Sequence, residues 1–91
     1  MQGQKSIAGY RELDQESIDL INRINAHGEE TKKLIEEVER RTAKQFNAAR
    51  GDEEKQAIAV EAMGWEEEGK RYLRTGYMYL TRAVAQPTTF A

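Results

Sequence analysis

Cysteine is absent from the chain, which excludes a disulfide framework and a thiolate metal site as sources of stability. Histidine occurs once, as His27, with Glu29 and Glu30 nearby, but the paired Glu-x-x-His motifs of a helical metal site are absent. No serine or threonine has a histidine at a spacing that indicates a nucleophile and its base, and there is no glycine-rich phosphate-binding loop. We therefore expect no enzyme activity, no metal and no cofactor.

Basic charge and long apolar runs are also lacking. The 14 Lys and Arg residues are outnumbered by 16 Asp and Glu, for a formal net charge of -2. This balance argues against a duplex-DNA binder, although a few converging basic groups can still bind a small anion. No apolar run approaches the roughly 20 residues that cross a bilayer, and the first ten residues do not resemble a signal peptide. We expect a cytoplasmic protein without DNA or membrane partners.

The chain does contain many charged residues around a thin apolar stripe. Of its 91 residues, 38% are hydrophobic and 33% are charged. A chain this short buries a modest share of its surface when it folds alone. We therefore expect a single domain over residues 1–91 that associates with copies of itself.

Helix signals predict an all-α, antiparallel two-helix hairpin behind a short N-terminal arm. Asp14 is a suitable N-cap for a first helix, and Arg50-Gly51-Asp52 is the best candidate for the turn. A second helix is expected from about residue 53 to 85, because Pro87 cannot continue it and favours an extended residue before it. The first helix has an apolar seam at Ile21, Ile24, Gly28, Thr31, Ile35, Val38 and Thr42. The second has one at Ile58, Ala62, Trp65, Gly69, Leu73, Gly76, Leu80 and Val84.

Glycines interrupt both seams and suggest close approach of another backbone. A glycine inside a helix costs about 1 kcal/mol relative to alanine, so Gly28 is expected to serve packing or a ligand; a simple kink is the alternative. Several large side chains fall outside the paired seams and could form an oligomer interface: Leu20, Leu34, Tyr72, Tyr77 and Tyr79.

Two places combine a basic group with an aromatic or hydroxyl group. In the first, Tyr10 could stack on a nucleobase while Arg11 binds phosphate; alternatively, Tyr10 only packs the arm onto the hairpin. In the second, Lys70 and Arg74 flank Arg71 and Thr75, which lie four residues apart and share a helix face. Copies of this pair could converge on a phosphate-bearing ligand, or the group could be an ordinary cationic surface.

The first place and the end of the second lie in segments that resemble a known family. Residues 7–29, IAGYRELDQESIDLINRINAHGE, and residues 73–90, LRTGYMYLTRAVAQPTTF, are similar to the phage anti-CBASS cyclic-oligonucleotide sponges. The resemblance implies a compact homohexamer that sequesters, without cleavage, the cyclic nucleotides of a bacterial defence system. Its ligands would be cyclic dinucleotides, such as cyclic GMP-AMP, and cyclic trinucleotides.

The resemblance also implies two kinds of site. Tyr10 would stack on a cyclic dinucleotide between protomers, with Arg11, Asn25 and Gly28 in the same site. Arg71 and Thr75, with Lys70, would bind a cyclic trinucleotide near a threefold axis. Asn25 stands where the family tends to have lysine, so dinucleotide preference is expected to differ unless Arg11 or Arg23 supplies the charge.

Two other functions are compatible with parts of the sequence. A coiled-coil adaptor or phage assembly protein would need only the glycines within the apolar seams, for close helix packing, and the aromatic residues outside the seams, for self-association. A phosphodiesterase acting on the same ligands would need a metal site or a nucleophile with its base, and the sequence contains no signal for either.

Overall fold

The computed structural model describes residues 11–88 and contains two long helices, α1 (Gln15–Ala48) and α2 (Glu53–Ala85). The all-α two-helix hairpin predicted from the sequence is therefore confirmed, as are the turn at residues 50–52 and the end of α2 before Pro87. The predictions for Tyr10 and for the N-terminal arm before it lie outside the described residues.

Local hydrogen bonds explain where α1 begins. The Ser17 N–H donates to Asp14 Oδ1 at 2.8 Å, and the Ile18 N–H donates to the Asp14 carbonyl at 3.0 Å, so Asp14 is the predicted N-cap. The hydrogen bond from the Ser17 backbone lowers the pKa of Asp14 below its usual value. Because the charged form is favoured in the folded helix, the contribution of this cap is present at neutral pH and is lost as the pH falls through the lowered pKa.

The turn between the helices combines a left-handed glycine with a second cap. Gly51 has a φ of 89°, a conformation that glycine adopts without steric cost. The Asp52 N–H donates to the Ala49 carbonyl at 2.9 Å, and Asp52 Oδ1 accepts from the Lys55 N–H at 3.1 Å. The turn therefore ends α1 and starts α2 through neighbouring residues alone.

The end of α2 differs from the expectation for a residue before proline. Gln86 is not extended but has a φ of 48°, and its N–H donates to the Arg82 carbonyl at 2.7 Å. Capping the last turn of α2 in this left-handed conformation outweighs the usual preference of a residue that precedes proline.

The chain divides into two compact units, each built from parts of both helices. Within the described residues the first unit contains 11–29 and 74–88, and the second unit is Glu30–Leu73, which includes the turn. In the first unit α1 and α2 are joined by His27 and Tyr77. In the second they are joined by an ion pair between Glu39 and Lys70.

The seam predicted for α1 is largely confirmed. Ile21, Ile24 and Ile35 are half-buried, and Thr42 is buried, its hydroxyl donating to the Val38 carbonyl at 3.1 Å. Val38 itself is 46% exposed. Within residues 11–88, only small side chains are buried: Thr42, Ala49, Ala59 and Ala85.

The seam predicted for α2 is wrong for most of its length. In the second unit the less exposed side of α2 is a neighbouring stripe of small, polar or flexible residues: Gln56, Ala59, Met63, Glu66 and Lys70. The large residues of the predicted seam are exposed, including Ile58 at 57% and Trp65 at 69%. One partner helix covers only one side of α2, and here it covers the more polar side.

Candidate functional site

Gly28 and Tyr77 form the most specific contact of the first unit. A Cβ at Gly28 would meet the Tyr77 ring at 3.7 Å, and Tyr77 is half-buried rather than outside the hairpin as predicted. The Tyr77 hydroxyl lies 2.8 Å from His27 Nδ1, and the two ring centroids are 6.0 Å apart. The structure thus puts a histidine and a tyrosine beside a glycine that the sequence assigned to a ligand site.

The other residues predicted to bind a dinucleotide are open to solvent. Asn25 is exposed on α1 three residues before Gly28, so the two are neighbours on the helix surface. Arg11 is exposed ahead of α1, and Tyr10 lies outside the described residues. Arg23 lies two positions from Asn25 and projects from a different side of α1.

Arg71 in the second unit is held by a neighbouring carboxylate. Its Nη2 lies 2.9 Å from Glu68 Oε1 and 2.8 Å from Oε2, and its guanidinium carbon lies 5.3 Å from the centre of the Tyr72 ring. Both partners of this ion pair are largely solvent-exposed, with side-chain exposures of 64% for Arg71 and 48% for Glu68. Exposed pairs of this kind are weak, so a phosphate can compete for the guanidinium.

Lys70 is also paired, with its Nζ 3.6 Å from Glu39 Oε2. Thr75 is half-buried one helical turn after Arg71 and belongs to the first unit. Glu68 could have been found from its i, i+3 spacing to Arg71. Glu39 could not, because it comes from the other helix. Neither carboxylate was predicted to belong to the site, although both neutralise cations of it.

Among residues 11–88 there is no group of three or more His, Asp or Glu side chains placed to hold a metal ion. Neither α1 nor α2 is long and apolar enough to cross a membrane.

No protein-family model matches the chain. The chain is, however, 36% identical over 100 aligned positions to anti-CBASS protein 2 of Pseudomonas phage JBD67, across 91% of this chain and 93% of the relative. The chain belongs to the anti-CBASS protein 2 family. The resemblance found in the terminal segments is thereby confirmed, and the similarity extends over 91% of the chain rather than over those segments alone.

Proposed function

We propose that this protein counters CBASS defence in the cytoplasm of an infected bacterium by binding and sequestering cyclic di- and trinucleotides without cleaving them. Membership of the anti-CBASS family, over 91% of the chain, carries the proposal. The two clusters of polar and basic residues described above supply the chemistry that phosphate and nucleobase groups need.

A cyclic dinucleotide would be held beside Gly28. Tyr10 stacks on a base, a contact worth about 1–3 kcal/mol, and Arg11 contacts a phosphate. Asn25 is exposed beside Gly28 and donates a neutral hydrogen bond to the ligand. A glycine at position 28 leaves the backbone of α1 accessible to a ligand from the side that the Tyr77 ring does not cover.

A cyclic trinucleotide would be held by Lys70, Arg71 and Thr75 from several copies of the chain. The Glu68 pair uses the Nη2 atom of Arg71, so the Nε and Nη1 atoms can each donate a hydrogen bond to a phosphate. In a homohexamer with threefold axes, three copies of Arg71 match the three phosphates of the ligand. Pockets that become rigid when the chains assemble reduce the entropy lost on ligand binding. Such pockets favour slow release of the ligand, which sequestration requires.

Titration calorimetry tests this proposal. Cyclic GMP-AMP and a cyclic trinucleotide are each expected to bind at submicromolar concentration with fixed stoichiometry, and their linear counterparts to bind more weakly. Ligand released by heat denaturation is expected to be chemically intact. If neither cyclic dinucleotides nor cyclic trinucleotides bind at micromolar concentration, the proposal is wrong. Recovery of linear products would indicate a phosphodiesterase.

A purely structural function is the second candidate. The observation that favours it is the row of large exposed apolar side chains on α2, which would suit an adaptor or assembly protein that only self-associates. A thermal-shift screen separates the two, because a protein that binds a ligand in its native state melts at a higher temperature when the ligand is present. The structural candidate predicts no rise with any cyclic nucleotide.

A further inference from the structure

Tyr72 lies beside the main cation of the proposed trinucleotide site, on the same helix. The guanidinium carbon of Arg71 is 5.3 Å from the centre of the Tyr72 ring, within the range of a cation–π contact. Tyr72 is nevertheless 66% exposed. The ring therefore has a cation on one side and a large area that is open to a ligand.

The position of Glu68 explains why the guanidinium lies over this ring. Arg71 and Tyr72 follow Glu68 by three and four residues, so both are its neighbours on the surface of α2. Both carboxylate oxygens of Glu68 accept hydrogen bonds from Arg71 Nη2, at 2.9 and 2.8 Å. The carboxylate thereby holds the guanidinium on the side of α2 that carries Tyr72, while Nε and Nη1 can still donate to a phosphate.

A nucleotide needs two different partners that lie close together, because one ribose joins its phosphate to its nucleobase. A guanidinium binds the phosphate, and a tyrosine ring stacks on the base. Arg71 and Tyr72 are adjacent in the sequence and in contact in the structure, so a single nucleotide can use both. An inorganic polyphosphate can use only Arg71, since it has no base.

Two other aromatic residues of α2 are as open to solvent as Tyr72. Trp65 is 69% exposed and Tyr79 is 68% exposed. They lie six residues before and eight residues after Arg71, which is about 9 and 12 Å along the helix axis. Exposure alone therefore does not distinguish Tyr72, but its contact with the guanidinium does.

We infer that Tyr72 is a base-stacking residue of the trinucleotide site and recognises the nucleobase of the nucleotide whose phosphate Arg71 binds. This assignment rests on the proposed function, because it requires that Arg71 faces a cyclic trinucleotide. In the homohexamer proposed above, three Arg71–Tyr72 pairs match the three nucleotides of the ligand. Arg71 supplies affinity for any anion that fits, and Tyr72 restricts the site to anions that carry bases.

Calorimetry of the full-length protein with two ligands tests the inference. One ligand is a cyclic trinucleotide with three adenines, and the other is the same ring of ribose and phosphate without bases. Low ionic strength strengthens the phosphate contacts, so that binding of the abasic ring is measurable. The wild-type protein should bind the base-bearing ring at least about tenfold more tightly than the abasic ring.

Tyr72→Leu removes the stacking ring but keeps an apolar side chain that favours a helix. It should weaken binding of the base-bearing ring at least about tenfold and change the affinity for the abasic ring less than about twofold. Tyr72→Phe keeps a stacking ring and should bind both ligands as the wild type does. Tyr79→Ala removes an equally exposed ring that lies away from Arg71 and should also bind both as the wild type does.

The abasic ring separates a stacking role from a structural one. A Tyr72→Leu protein that binds the base-bearing ring as tightly as the wild type, or that loses affinity for both rings equally, would overturn the inference and leave the proposed function standing. Failure of the wild-type protein to bind either ring would overturn the proposed trinucleotide site and the inference with it.

Discussion

The ring of Tyr77 lies across α1 at Gly28, where an added Cβ would meet three ring carbons at 3.7–3.8 Å. That separation is ordinary van der Waals contact, so alanine fits at position 28 without moving Tyr77. Packing within one chain therefore does not require a glycine there. The reasons that remain for Gly28 are a ligand, a second copy of the chain, and the simple kink that the sequence also allows.

Gly28→Ala is consequently expected to stabilise the helix while it weakens dinucleotide binding. Alanine favours a helix interior by about 1 kcal/mol over glycine, which should raise the melting temperature by several degrees. Calorimetry should show a loss of cyclic dinucleotide affinity and unchanged trinucleotide affinity. Gly64→Ala is the control, because a Cβ at that exposed position meets nothing within 4 Å, and it should stabilise without affecting either ligand.

The two proposed sites can be separated by reciprocal substitutions. Tyr10→Ala removes the stacking ring and should weaken cyclic dinucleotide binding at least about tenfold, with little effect on trinucleotides. Arg71→Ala should do the reverse. Arg40→Ala removes the same charge from an exposed position of α1 and should spare both. If Tyr10→Ala and Arg71→Ala each abolish both ligands, the assignment to two sites is wrong.

Glu68 competes with phosphate for Arg71. Glu68→Gln removes an exposed ion pair that contributes at most about 0.5 kcal/mol, or about twofold in affinity for each phosphate contact. A trinucleotide that meets three copies of Arg71 should then bind nearly tenfold more tightly. Glu67→Gln makes the same charge change at an exposed neighbouring position and should leave the affinity nearly unchanged. Similar affinities for the two variants would show that Glu68 does not oppose binding.

Asn25 stands where the resemblance implies a lysine, and its substitution tests whether this position contacts the dinucleotide. Asn25→Lys replaces a neutral hydrogen bond with a charge-assisted one, which is about twice as strong, and should raise cyclic dinucleotide affinity several-fold. The gain should diminish as salt is added. Asn47→Lys, at an exposed position near the end of α1, controls for the change in net charge. An Asn25→Lys variant with unchanged or weaker affinity would place position 25 outside the dinucleotide site.

The sequence by itself determined the features that depend on neighbouring residues. Asp14 and Asp52 cap the helices through hydrogen bonds to the third residue after each, and Gly51 supplies the one turn conformation that other residues resist. These interactions span at most four residues. Helix bounds, the hairpin and the inner side of α1 therefore followed from local chemistry and periodicity.

Only the tertiary structure decided which side of α2 faces α1. That helix carries two stripes of the same period, one through Ala59 and Met63 and one through Ile58 and Trp65. The periodicity alone does not indicate which of the two stripes packs against α1. Hydrophobicity favoured the second stripe, but in each unit α1 covers only one side of α2, and the more apolar side stayed exposed. The tertiary structure also decided the contacts of Tyr77 with Gly28 and His27. Residues about fifty positions apart come into contact only when particular faces of the two helices pack together.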